Sequence, residues 1–189
     1  MNNSIIVVCG FSSAGKDLIT KYIADNWNYK MIISTTSRPM RPNESENNPY
    51  HFVTRQEFED MIEKDEFIEC RKYNTLVNNI PDTWYYGVHK DSIDLSKNSY
   101  VVVLDLLGLM EFKKYYNNNI ISFFIDVNEP TRRNRCINRS DFNETEWNRR
   151  YTDDINQFPR ELVEKEVDYI VKNYDFDKCI KEIKEKINE

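Results

Sequence analysis

Long apolar runs are missing from this 189-residue chain. Its first ten residues hold only the five-residue run Ile5–Cys9, with no basic stretch ahead of it, which is too short for a signal peptide or a membrane span. No later run is longer without a charge, so a cytoplasmic protein without a membrane partner is expected. Cysteine pairs are missing too: Cys9, Cys70, Cys136 and Cys179 stand far apart with no C-x-x-C, which suits a reducing compartment. The two histidines, His51 and His89, have no cysteine or carboxylate cluster at ligand spacing; this argues against structural zinc and leaves both as surface or packing residues. With four glycines and six prolines there is no Ser/Gly-rich or Pro-rich linker, and no internal repeat. Apolar residues at 40% and charged residues at 31% exclude disordered and fibrous classes, leaving one domain with a real core. A basic excess is also absent, since the net charge of −6 argues against a general nucleic-acid binder. Yet six of the eleven arginines (Arg132, Arg133, Arg135, Arg139, Arg149, Arg150) fall within 19 residues, a local concentration suited to anions.

What is present alternates. Short apolar runs at Ile5–Cys9, Met31–Ile33, Tyr100–Leu104, Ile120–Val127 and Tyr169–Val171 read as buried parallel strands. Between and after them lie helical patterns, such as Leu18, Ile19, Tyr22 and Ile23, then Phe176, Ile180, Ile183 and Ile187. The class is therefore α/β. Thr54-x-x-Glu57 and Asn143-x-x-Glu146 have the form of capping boxes and place two further helix starts. The stretch 34–86 departs from the alternation, with aromatic and β-branched residues around one short helix, and reads as a small inserted α+β lobe. Asn74–Thr83, polar and with a Pro-Asp pair, reads as a loop.

Gly10-Phe11-Ser12-Ser13-Ala14-Gly15-Lys16-Asp17 follows the first strand and opens the first helix, the context a G-x₄-G-K phosphate loop requires. There the glycines let the backbone wrap a phosphate, successive N–H groups and the helix N-terminus point at the anion, and the lysine reaches its terminal oxygens. Gly10, Ser12, Ser13, Ala14, Gly15, Lys16, Asp17 and Leu18 are thus the candidate ATP-binding set. Asp17 stands where a Ser or Thr hydroxyl normally ligates Mg²⁺; as a charged oxygen ligand it is the candidate metal residue.

Next come Ser34-Thr35-Thr36-Ser37-Arg38-Pro39-Met40-Arg41-Pro42-Asn43-Glu44, Pro49-Tyr50-His51-Phe52-Val53, Glu66-Phe67-Ile68-Glu69 and Tyr85-Tyr86-Gly87. Here the sequence resembles the guanylate kinase family, which shows a serine followed by T-T-R-x-P-R-P-x-E, then Y-x-F-V, a short helix, F-I/L-E and Y-Y-G-S/T. The likeness runs from about Ile5 to Ile187. It takes in Asp105-Leu106-Leu107-Gly108 where the family has D-x-Q-G, three lid arginines at Arg135, Arg139 and Arg150, and Asn173 where the family has an asparagine near adenine.

The resemblance implies a P-loop kinase with a central five-stranded parallel sheet flanked by helices, an acceptor lobe at 34–86 and a helical lid at 130–163. The core would be 1–33, 87–129 and 164–189. It implies ATP-dependent phosphorylation of GMP or dGMP with Mg²⁺, by a monomer or homodimer. Lys16, Arg38, Arg135, Arg139 and Arg150 would be catalytic; Ser34, Arg38, Arg41, Tyr50, Glu69, Tyr86, Val88 and Asp105 would bind the acceptor. The chemistry of these side chains agrees. Arg38 and Arg41 can offer two guanidinium forks to one phosphate, and Glu69 can accept from guanine N1–H and the 2-amino group, where adenine has no N1 hydrogen. Three positions depart from the pattern: Val88 replaces a Ser/Thr that donates to guanine O6, Val103 an acid near the metal, and Leu107 the glutamine. Gly-Lys-Asp and Tyr-Tyr-Gly-Val also occur in ribose 1,5-bisphosphate phosphokinases, which lack the R-x-x-R, tyrosine and glutamate set. A kinase of such an acceptor is one alternative; a non-catalytic protein-binding module is the other.

Overall fold

The computed structural model describes residues 3–40, 44–47, 50–77, 80–138 and 142–188, with the backbone alone at 75–77, 80 and 81. In chain order, β1 (Ile5–Gly10), α1 (Lys16–Asn26) and β2 (Tyr29–Met31) lead into β3 (Ser34–Thr36), β4 (Tyr50–Phe52) and α2 (Arg55–Glu63). The hairpin β5 (Phe67–Val77) and β6 (Ile80–His89) follows, then β7 (Ser99–Val103), α3 (Leu106–Tyr116) and β8 (Ile120–Asp126). The chain ends with α4 (Glu129–Ile137), α5 (Glu144–Gln157), α6 (Arg160–Glu166), β9 (Tyr169–Lys172) and α7 (Phe176–Ile187). These elements fall into two units, residues Met1–Met31 with Asn98–Glu189, and Ile32–Lys97.

The first unit is built on a parallel sheet of order β2-β7-β1-β8-β9. Strand β1 lies at its centre with all six residues buried, which is why its sequence is a continuous apolar run and not an alternating one. Helix α1 buries Ile19 and Ile23 and leaves Leu18 exposed. Helix α7 buries Cys179, Ile180 and Ile183 at helical spacing, with Ile187 packed at the margin of the same core. The second strand lies at Tyr29–Met31, two residues before the expected Met31–Ile33, because backbone pairing of Tyr29 with Ser99 sets the register at this sheet edge.

The second unit is a sheet of order β4-β3-β6-β5, parallel between β3 and β4 and otherwise antiparallel. Thr54 starts α2 with a complete capping box, its side chain accepting from Glu57 N while Glu57 reaches back to Thr54 N at 2.7 Å. Phe58 of α2 stacks on Phe67 at 4.4 Å and on Tyr85 at 5.3 Å. A bulge between Phe67 and Glu69 allows this: Phe67 opposes His89 but Glu69 opposes Val88, so Phe67 faces the helix while Glu69 turns to the other side. Within the stretch expected as a loop, Asn74–Val77 and Ile80–Thr83 are strand. Asn74 pairs with Thr83, Thr75 with Asp82, Leu76 with Pro81 and Val77 with Ile80, since an antiparallel ladder satisfies its backbone whatever the polarity of the side chains. At α5 only half of the expected box forms: Asn143 accepts from Glu146 N, but the Glu146 carboxylate is taken by Arg149 and Arg150.

Candidate active site

In the first unit, the segment from Gly10 to Lys16 joins β1 to α1 through positive-φ residues at Gly10 (144°), Ser13 (61°) and Gly15 (97°). Gly15 caps the helix in the left-handed region, and a Cβ there would fall 2.6 Å from Asn173 Nδ2, so both backbone and space demand glycine. Lys16 folds back over the loop and donates to the Phe11 carbonyl at 2.9 Å. Burial lowers its pKa, against the opposing pull of the Asp17 and Asp154 carboxylates. Asp17 and Leu18 are exposed on the first turn of α1.

Two sets of side chains hold this loop from a distance. Asn173, buried, donates to the Ala14 carbonyl at 2.8 Å; Arg135 donates to the same carbonyl at 3.3 Å and to the Asn173 carbonyl at 2.6 Å. On the other side, Asp154 of α5 accepts from Ser12 N at 2.8 Å and Ser12 Oγ at 3.0 Å. Arg132 of α4 completes the knot, donating to Asp154 at 3.0 Å, to the Ser12 carbonyl at 3.2 Å and to the Val127 carbonyl at 3.1 Å. Its guanidinium lies 4.6 Å over the Phe11 ring. Asp154 and Arg132 are only 6% and 3% exposed, and burial raises the Asp154 pKa against the pull of its Ser12 bonds. The sequence marks Arg132 only as one of the clustered arginines suited to anions, not as a partner of a carboxylate, and Asp154 not at all, although one signal was present: Trp147, Tyr151, Asp154 and Phe158 lie at helical spacing, which puts the aspartate on the apolar stripe of α5.

The remaining first-unit candidates are placed as follows. Arg150 is half-exposed and donates to Glu146 at 2.7 Å, away from the loop's own bonds. Asp105 caps α3, accepting from Gly108 N at 2.7 Å. Arg139 lies outside the described residues. Among the described residues no cluster of three or more His, Cys, Asp or Glu could hold a metal ion, and no helix is long and apolar enough to cross a membrane. All four cysteines are free.

In the second unit, strand periodicity gathers the acceptor candidates on one face. Ser34 pairs with Tyr50, Thr36 with Tyr86, Glu69 with Val88 and Arg71 with Tyr86, so all these residues share the side opposite Phe58. Tyr86 makes edge contacts with Tyr50 at 5.6 Å and with Tyr73 at 5.5 Å. Arg38 is buried beyond the end of β3; it forms a two-pronged bond with Glu44 at 2.8 and 2.9 Å and lies 5.4 Å from the Tyr50 ring. Burial pulls its pKa down, and the Glu44 carboxylate and the Tyr86 hydroxyl together outweigh that and raise it. Val88 is fully buried. Arg41 lies outside the described residues. His51 meets Glu46, and His89 meets Glu66 at 3.3 Å, in keeping with ordinary packing roles.

Against known proteins, the chain matches the guanylate kinase family model over residues 2–189. It is 30% identical to the guanylate kinase of Rickettsia felis over 186 residues, covering 96% of this chain and 91% of that one. The guanylate kinase of Clostridium tetani is 30% identical over 138 residues, 71% of this chain and 62% of that protein's length. The crystal structure of guanylate kinase from Anaplasma phagocytophilum superposes with a TM-score of 0.67 at 21% identity, over 98% of this chain and 85% of that one, a likeness of fold. A family model that spans the chain and a relative aligned almost end to end leave one conclusion: the chain belongs to the guanylate kinase family.

Proposed function

We propose that the chain moves the γ-phosphoryl of ATP onto GMP or dGMP, giving GDP or dGDP. The observation that carries this reading is the grouping of Ser34, Tyr50, Glu69 and Tyr86 on one sheet face, in a chain that keeps a braced phosphate loop with its lysine. The acceptor is already an anion, so no general base is needed; catalysis consists of aligning two phosphates and neutralising charge as the phosphoryl group moves. Lys16, with Arg135, Arg139 and Arg150 of a lid at 130–163, supplies positive charge to the transferring group. Arg38, with Arg41, binds the acceptor phosphate, which competes with Glu44 for the Arg38 fork. Glu69 accepts from the guanine edge. The sheet unit at 34–86 serves as the acceptor lobe, Asp105 adds to the acceptor site and Asn173 to the ATP site.

Asp17 fits a Mg²⁺ site by its chemistry: an exposed hard carboxylate oxygen at the start of α1, for an ion that takes one or two carboxylates and keeps waters and phosphate oxygens. Held by Asp17, the ion would supply positive charge to offset that of the phosphates. Asp17→Ala should cut kcat about a hundredfold and raise the Mg²⁺ concentration for half-maximal rate. An unchanged Mg²⁺ dependence with slightly lower thermal stability would reduce Asp17 to a helix-capping charge. We place the protein in the cytoplasm, as a monomer or homodimer, with neither nucleic acid nor membrane as partner. The deciding experiment is coupled ADP release over GMP, dGMP, AMP, CMP, UMP and ribose 1,5-bisphosphate. GMP and dGMP should lead, with AMP at least about a hundredfold poorer; ribose 1,5-bisphosphate outperforming GMP would sink the reading.

A further inference from the structure

Beside Glu69 stands a second charged head, Arg71, for which neither the motif nor the family likeness supplies a role. We infer that Arg71 is a base-reading residue, donating to O6 of the purine while Glu69 accepts from N1–H. The inference rests on the proposed use of this sheet face for GMP.

The register from Glu69 to Val77 is regular, so Glu69 and Arg71 point to the same side, with Val88 across from the first and Tyr86 across from the second. Arg71 Nη1 lies 3.9 Å from Glu69 Oε2, and it donates to the Cys70 carbonyl at 2.7 Å, a backbone anchor that fixes the guanidinium beside the carboxylate. The two side chains are 20% and 6% exposed, so donor and acceptor lie together in a poorly hydrated place where such groups discriminate strongly. Guanine presents O6, an acceptor, next to N1–H, a donor; an arginine next to a glutamate is the complement of that order. Adenine presents a 6-amino donor next to an N1 acceptor and would meet a like group at both positions. Val88, opposite Glu69, has only methyl groups to offer O6. Arginine suits the task because Nη1 can stay on the Cys70 carbonyl while other N–H groups of the planar fork face the base.

A simpler role is that Arg71 only neutralises Glu69, and the experiment separates the two. With the full chain, Mg²⁺ and ATP, kcat and KM are measured for GMP, IMP and AMP in wild type, Arg71→Met and Arg71→Lys, from pH 6 to 9. GMP and IMP both carry O6, and Arg71→Met should raise the KM for each about thirtyfold. The loss should persist to pH 9, with kcat and the KM for ATP near wild type and use of AMP undiminished. Arg71→Lys, a point donor with the same charge, should rise only about fivefold. A wild type that ignores GMP would overturn the underlying reading. A wild type active on GMP overturns this inference alone if Arg71→Met keeps its GMP KM within twofold, loses GMP and AMP equally, or recovers at high pH as a displaced Glu69 titration would. If Arg71→Met does not fold, the lysine variant decides: a wild-type KM overturns the proposal and the fivefold rise supports it.

Discussion

The phosphate loop and the acceptor sheet face are held by different means. The loop is fastened by side chains 120 to 159 residues away: Arg132 and Asp154 on Ser12, Arg135 and Asn173 on Ala14. The acceptor face is held by its own ladder and by near neighbours, with Glu44 six residues from Arg38 and Cys70 adjacent to Arg71. The difference follows from backbone chemistry. A loop that passes through positive φ at Gly10, Ser13 and Gly15 makes few bonds of its own, so distant groups must hold it. A sheet satisfies its backbone as it forms, and period two then aligns alternate side chains without further help.

The largest expected effect tests whether the loop's lysine serves chemistry or support. Lys16→Met should lower kcat by about a hundredfold to a thousandfold in coupled ADP release. Urea unfolding should show no loss of stability, because burial depresses the Lys16 pKa and so marks its charge as a cost of folding. Stability lost together with activity would make Lys16 a strut through the Phe11 carbonyl, and the loop would have one more brace than supposed.

Next is the brace itself. Asp154→Ala leaves the buried Arg132 without its carboxylate and should cost about 3 kcal/mol in urea unfolding, while raising the KM for ATP more than that for the acceptor. Arg132→Met with Asp154→Ala should recover much of the stability, since no charge is then stranded, but not the affinity for ATP. Recovery of both would show the knot to be packing alone. The corresponding change in the acceptor unit, Glu44→Ala, should cost less, about 1–2 kcal/mol, because Asp154→Ala also removes two bonds from Ser12, while Arg38 keeps its bond to the Pro39 carbonyl. Equal costs for Asp154 and Glu44 would erase the contrast between long-range and local bracing.

The same contrast explains what the sequence discloses. The α/β class, the sheet of five parallel strands and the phosphate loop follow from contiguous signals: the apolar run Ile5–Cys9, the glycines and lysine after it, and the helical spacing of Phe176, Ile180 and Ile183. Tyr50, Glu69 and Tyr86 are named through the family resemblance, but that they share a face depends on the pairing of three strands and on the bulge before Glu69. Register is not local. The β2 boundary and the pairing of Asn74–Val77 with Ile80–Thr83 depend on partner strands, so polar composition misdirects there. The Asp154–Arg132 knot is the extreme case, since Ser12 and Asp154 come together only through the fold of the whole unit, and only the apolar stripe around Asp154 hints at it.

Helix α5 allows a smaller and sharper test, because it carries both kinds of carboxylate. Asp154 faces inward, while Glu146 sits at the surface, 41% exposed and held by Arg149 and Arg150 at 2.7–2.8 Å. Those arginines, above all Arg149, hold the Glu146 pKa down to about 2. A folded-state value below the unfolded one, about 4.3, means that Glu146 contributes stability above roughly pH 5 and loses it as the pH falls toward 2. Solvent screens a pair this exposed, so the contribution should stay under about 1 kcal/mol despite the size of the shift. Glu146→Gln should therefore lower the melting temperature by no more than a few degrees at pH 7, and 1 M salt should shrink the difference. Near pH 2 wild type and variant should converge. A penalty matching that of Asp154→Ala at pH 7 would mean that the outer face of α5 bears as much of the structure as the inner one, and that burial does not separate the two carboxylates.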